Sequence, residues 1–114
     1  MKLTIGRRAL QKLLKAVASR PGEADRINEE DTVTLWACAG RVFVECKDDN
    51  AGIEALVFEN GAVTFPAKKF RTLLNTYKGT HLLTFEANAD GLRVQTFWMP
   101  VLSYDPHPKP PAKS

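Results

Sequence analysis

The residues best placed to do chemistry in this sequence are its lysines and arginines, and the chemistry they suit is the binding of anions. Residues 2–20 contain Lys2, Arg7, Arg8, Lys12, Lys15 and Arg20 and no carboxylate. Residues 66–80 contain Lys68, Lys69, Arg71 and Lys78, again with no carboxylate. These two stretches hold ten of the 16 basic residues and none of the 13 acidic ones, so a net charge of +3 conceals a strongly uneven chain. Solvated helix faces usually mix signs, because Glu and Lys four residues apart support a helix and like charges weaken it. One-signed faces on both segments therefore point to an anionic partner.

Other chemistries fall away. The histidines are His81 and His107, the second inside "DPHPKPPAKS", and no CxxC, HExxH, GxSxG or glycine-rich phosphate loop occurs. Cys38 and Cys46 lie eight apart with no histidine beside them, which argues against zinc and for two small apolar strand residues in a reducing cytoplasm. No catalytic constellation, metal site or cofactor is expected. Trp36 and Trp98 could stack on single-stranded bases, but both sit among apolar neighbours in predicted strands and read as core or interface residues. No apolar run approaches the ~20 residues of a membrane span. Arg7 and Arg8 interrupt the stretch that a signal peptide would need. The sequence thus predicts a cytoplasmic, non-enzymatic protein.

The elements that must carry these cations follow from periodicity. "MKLTI" predicts a strand ending at Gly6. Leu10, Leu13, Leu14 and Val17 then fall at i, i+3, i+4 and i+7, which predicts a helix over 7–19. Residues 20–30 read as a polar loop, followed by strands at about 31–38 and 41–47 joined at Gly40. "KDDNAG" reads as a turn before a strand over 53–59, and Asn60-Gly61 as a hairpin signal. A short strand, "AVTF", precedes Pro66, where a second helix begins with Phe70, Leu73, Leu74 and Tyr77 at the same spacing. Strands follow at about 81–88, 91–98 and 100–104, then a proline-rich tail over 106–114. On a helical wheel at about 100° per residue, Arg8, Lys12 and Lys15 gather opposite the first apolar stripe, and Lys68, Arg71 and Asn75 opposite the second.

The halves repeat. With an offset of 60, Leu3, Thr4 and Ile5 align with Val63, Thr64 and Phe65, and the two apolar stripes superpose; the register breaks only after the helix. The expectation is one α+β domain over residues 1–105, built from two β-α-β-β-β repeats (about 1–60 and 61–105), with both helices on one face of antiparallel sheets.

These residues resemble a known family. The opening "MKLTIGRRALQKLLKAV", the junction "AVTFPAKKFRTLLNTYKG" with Pro66, Ala67 and Lys69 in register, and the close "GLRVQTFWMPVLSYDP" are similar to the first domain of the bacterial replicative sliding clamp, the beta subunit of DNA polymerase III. The resemblance implies a DNA-clamp fold and a DNA-replication role. It also implies non-enzymatic, sequence-independent contact with double-stranded DNA and head-to-tail association through sheet edges as a homo-oligomer, with replication proteins as possible partners. DNA-binding residues would be Arg7, Arg8, Lys12, Lys15, Arg20, Lys68 and Arg71. A clamp subunit has three such domains, and the family's partner-binding cleft lies between later ones, so no cleft residue has a counterpart here. The family's loop arginine after the first helix could be Arg20 or Arg26, in a loop made acidic by Glu23, Asp25, Glu29, Glu30 and Asp31. The alternative is a clamp-fold protein-interaction module, a replication-related adaptor or mimic that does not touch DNA.

Overall fold

The structure is a computed structural model that describes residues 1–18, 31–46, 49–77 and 79–108. The first half runs β1 (Lys2–Gly6), α1 (Arg7–Ala18), β2 (Thr32–Cys38), β3 (Arg41–Cys46), β4 (Asp49–Glu54) and β5 (Leu56–Glu59). The second half repeats the order as β6 (Gly61–Pro66), α2 (Ala67–Thr76), β7 (Leu82–Asn88), β8 (Gly91–Val94), β9 (Phe97–Met99) and β10 (Ser103–Asp105). The fold is α+β with two five-stranded antiparallel sheets, in the orders β5-β1-β7-β8-β9 and β10-β6-β2-β3-β4.

Each half lends its first strand to the other's sheet. β1 pairs with β7, placing Thr4 opposite Thr84, and β6 pairs with β2, placing Thr64 opposite Thr34. The hydroxyls of each pair are bonded, at 3.2 Å and 2.8 Å respectively. The first N–H of each helix is satisfied in the same crossed manner. Arg7 N–H donates to the His81 carbonyl at 2.9 Å, and Ala67 N–H to the Asp31 carbonyl at 3.0 Å. Helix starts leave N–H groups unpaired, and here the opposite repeat supplies the acceptor. The relation between halves is a pseudo-two-fold, with an offset of 60 through the first strand and helix and 50 through the long strands.

The core lies where the inner sheet faces and the helices meet. Leu3, Val33, Leu35, Val63, Phe65, Leu83 and Phe85 are fully buried. The stripes do what their spacing predicts: Leu10, Leu13, Leu14, Phe70, Leu73 and Leu74 are buried, and Tyr77 is half-buried against them. The Val17 side chain lies outside the described set. Phe70 stands edge-on to Phe65 at 5.1 Å and to Phe85 at 6.4 Å, so α2 is keyed to one strand of each sheet.

Four sequence expectations need correction. "KDDNAG" is not all turn, because β4 starts at Asp49 and pairs with β3 along its length. Gly52 makes this possible on the outer face, since a Cβ there would sit 2.5 Å from the Phe43 ring. The strand expected over 53–59 is two strands in different sheets. Ala55 is the crossover, and its N–H donates to the Gly40 carbonyl at 3.2 Å. The strand expected over 91–98 folds back into a hairpin. Gln95 takes φ 56, and its N–H and side-chain carbonyl both bond Thr84, at 3.0 Å and 2.7 Å. Each repeat thus carries one strand more than expected, and the last strand is Ser103–Asp105 rather than 100–104. The 20–30 loop and tail residues 109–114 lie outside the described residues.

Removing the keystone ring should be expensive. Phe70→Ala is expected to lower stability by about 3–5 kcal/mol, read as a shift of the urea midpoint with unchanged slope.

Candidate nucleic-acid interface

Neither helix contains a carboxylate, and each opens on cations: Arg7 and Arg8 begin α1, and Lys68 and Lys69 follow Ala67 in α2. A helix N-terminus carries about half a positive charge, so cations there oppose the dipole and cost roughly 0.3–1 kcal/mol each. The arrangement is poor for helix stability and good for attracting an anion. Elsewhere the protein balances its charges. On the outer sheet surface Arg93 bonds Glu86 at 2.7 Å across the β7–β8 pair. That bond holds the Glu86 carboxyl below its usual range, so the pair persists at neutral pH and weakens as acid protonates Glu86.

The structure sorts the candidate residues. Arg8, Lys12 and Lys15 are exposed along α1, while on α2 Lys68 is exposed and Arg71 half-buried. Arg20 and Arg26 lie outside the described residues. Arg7 differs from its neighbours: it is buried, 8% exposed, and its Nε donates to the Leu74 carbonyl at 2.7 Å. At about 100° per residue Arg7 falls beside Leu10 and Leu14 on the apolar stripe while Arg8 falls opposite it, so the helical period itself turns the first inward. Arg7 ties the start of α1 to the end of α2, so the helices run antiparallel and side by side, and it presents little surface to a ligand.

Two features went unread in the sequence. The antiparallel helices leave a shallow groove of about 100 Å³ lined by Gln11, Leu14, Lys15, Arg71, Leu74 and Asn75. A larger groove, about 460 Å³, lies between α2 and β9. Its walls include Lys68, Lys69, Tyr77, Phe97, Trp98 and Pro100. Trp98 is not a core residue: it is 49% exposed and lies over Gly91, where a Cβ would meet its ring at 2.5 Å. Trp36 is half-buried on β2. The cysteines sit in strands as expected, Cys46 buried and Cys38 with its thiol 3.8 Å from the Pro108 carbonyl. Among the described residues no group of three or more His, Cys, Asp or Glu could hold a metal, and no helix is long and apolar enough to cross a membrane.

A pair of antiparallel helices on two five-stranded antiparallel sheets, repeated about a pseudo-two-fold, is a distinctive fold, and solved structures share it. The Caulobacter crescentus polymerase III beta protein is 25% identical with a TM-score of 0.71, the match covering 90% of this chain and 30% of that one. The fold is that of a sliding-clamp domain. The Helicobacter pylori beta clamp in complex with carprofen is 18% identical with a TM-score of 0.70, covering 90% and 29%. The Bartonella birtlesii DNA polymerase III beta sliding clamp is also 18% identical, with a TM-score of 0.69, covering 90% and 31%. Another Helicobacter pylori clamp structure is bound to a DNA ligase peptide. This chain therefore spans under a third of the length of the clamps it matches. No protein-family model matches the sequence, and no curated protein does.

The two neighbouring arginines should separate in stability measurements. Arg7→Met is expected to destabilise by about 1–3 kcal/mol, through loss of a charged hydrogen bond to a buried carbonyl. Arg8→Glu is expected to stabilise by about 0.3–1 kcal/mol, by complementing the helix dipole. Urea denaturation of both variants at low salt checks the contrast.

Proposed function

We propose that this protein is a non-enzymatic, sliding-clamp-like module that holds duplex DNA by its phosphates through the exposed faces of α1 and α2. The observation that carries this reading is a pair of adjacent helices with cations at the dipole-disfavoured ends and no carboxylate of their own. The clamp-domain fold supports it, because the resemblance implies helices turned toward DNA. Arg8, Lys12, Lys15, Lys68 and Arg71 are the contacts, with Arg20 as a further one and Arg7 as the residue that sets the helix pair. Lysine and arginine on a helix face, without an array of amides aimed at base edges, give affinity without sequence information. The protein is cytoplasmic on this reading and uses no cofactor.

Five phosphate contacts give a slope of about −4.5 for the logarithm of affinity against the logarithm of salt, with a dissociation constant of ~10⁻⁴ to 10⁻⁶ M at physiological salt. Fluorescence anisotropy on a mixed-sequence duplex reads both. Lys12→Glu/Lys15→Glu is expected to weaken binding equally on all sequences and to flatten the slope. Wild type that binds no duplex at 20 mM salt would overturn the DNA reading. The clamp-fold protein-interaction module would then stand in its place, supported by the apolar groove beside Trp98.

The same proposal includes self-association through sheet edges. β9 and β4 are outer edges related by the pseudo-two-fold, and open edges invite pairing. They differ in chemistry. β9 carries exposed Phe97 and Trp98 and lies beside Lys68 and Lys69 of α2, whereas β4 reads DNAGIE and ends on exposed Glu54. Opposite charge favours β9 of one copy against β4 of the next, a head-to-tail contact that closes into a ring if the rotation allows. Light scattering is expected to show an oligomer, a dimer or a six-chain ring. Lys69→Glu should reduce it to monomer, and Lys69→Glu/Glu54→Lys should restore it. A wild-type monomer at high micromolar concentration would remove this half of the proposal.

A further inference from the structure

The groove between the helices lies on the pseudo-two-fold axis. Its six lining residues are three symmetry pairs at the offset of 60: Gln11 with Arg71, Leu14 with Leu74, and Lys15 with Asn75. Leu14 and Leu74 are buried and form an apolar floor. Each helix contributes one cation and one carboxamide, four residues apart and hence on one face. The order is inverted between helices, amide then cation on α1 and cation then amide on α2. Because the helices run antiparallel, the inversion sets Lys15 level with Arg71 at one end of the groove and Gln11 level with Asn75 at the other. Among the described residues no carboxylate lines the groove.

We infer that this groove seats a single phosphodiester group, held toward its cationic end. The inference rests on the reading that the helix pair faces DNA, and it names the part of the backbone that the pair grips. A phosphodiester is a monoanion with two non-bridging oxygens that share its charge. Lys15 and Arg71 take one oxygen each, from opposite walls. The side-chain amides of Gln11 and Asn75 donate to the remaining oxygens. The leucine floor excludes water beneath the anion, and the bonds from Lys15 and Arg71 are charge-assisted and so the stronger ones. The remaining cations along α1 then act on neighbouring phosphates by proximity, while the seat fixes where along the helix pair the backbone rests.

The test exploits the neutral members of the seat. Asn75→Leu and Gln11→Leu remove no charge, so each is expected to weaken duplex binding by about threefold to tenfold without changing the salt slope. Asn75→Asp places a carboxylate in the seat and should weaken binding beyond either. In ¹⁵N-resolved NMR spectra the side-chain NH₂ signals of Gln11 and Asn75 should shift and saturate with a 20-base-pair duplex, and also with dimethyl phosphate, a free phosphodiester. If wild type binds duplex and Lys12→Glu weakens it, but the amide signals stay still and all three variants bind as wild type, the seat is overturned and the helix-face reading survives. If wild type binds no duplex, that reading fails. The dimethyl phosphate titration then decides the seat alone, with saturable shifts at both amides upholding it and their absence overturning it.

Discussion

The structure depends on an exchange of strands. β1 is hydrogen-bonded into the sheet that holds β7, β8 and β9, and β6 into the sheet that holds β2, β3 and β4. Neither half can complete its own sheet, and neither helix can satisfy its first N–H without a carbonyl from the other half. The exchange also places α1 beside α2, because each helix follows directly from an exchanged strand: Gly6 runs into Arg7, and Pro66 into Ala67. The position of the helix pair is therefore a consequence of sheet pairing and not of attraction between the helices, which carry like charge. Arg7 adds a polar bond between them, at the end where α1 begins and α2 ends.

This division of labour explains how the helices can be electrostatically unfavourable and still well placed. Their inner faces are buried on a core in which Phe70 stands edge-on to both Phe65 and Phe85, and burial of one such side chain is worth about 1.5–3 kcal/mol. A few misplaced cations cost tenths of that each at physiological salt, where surface charges are screened beyond about 8 Å. The core thus holds the helices in place although their outer faces carry like charge. The sheets show the opposite policy, pairing Arg93 with Glu86 and laying Arg41 over the Phe43 ring at 5.7 Å.

Much of this was legible in the residues. Two apolar stripes 60 apart gave the helices and the repeat, and the cation count gave the candidate interface. What was not legible turns on contacts between distant segments. Nothing local tells that "IEALVFE" breaks at Ala55, because both pieces alternate as strands should; the break is set by which sheet has a free edge. The hairpin at Gln95 carries no glycine, and its positive φ is held by two bonds to Thr84, eleven residues away. Arg7 and Arg8 are identical in type and adjacent; the helical period puts Arg7 on the buried stripe, but its acceptor, a carbonyl at the end of α2 67 residues on, is visible only in the fold. The grooves beside Asn75 and Trp98 exist only once the helices and β9 are assembled.

The internal two-fold has one further consequence. A perfectly symmetric domain would present the same chemistry at both outer edges, and copies of it could meet in either orientation with equal ease. Here the two edges descend from equivalent positions but have diverged, one aromatic and cationic beside Trp98 and Lys69, the other glycine-bearing and ending on Glu54. Like edges brought together would set lysine against lysine or glutamate against glutamate. The molecule therefore has a front and a back, although its fold does not. That vectorial character is written entirely in side chains on a symmetric frame, so a handful of substitutions could erase it without disturbing a single strand.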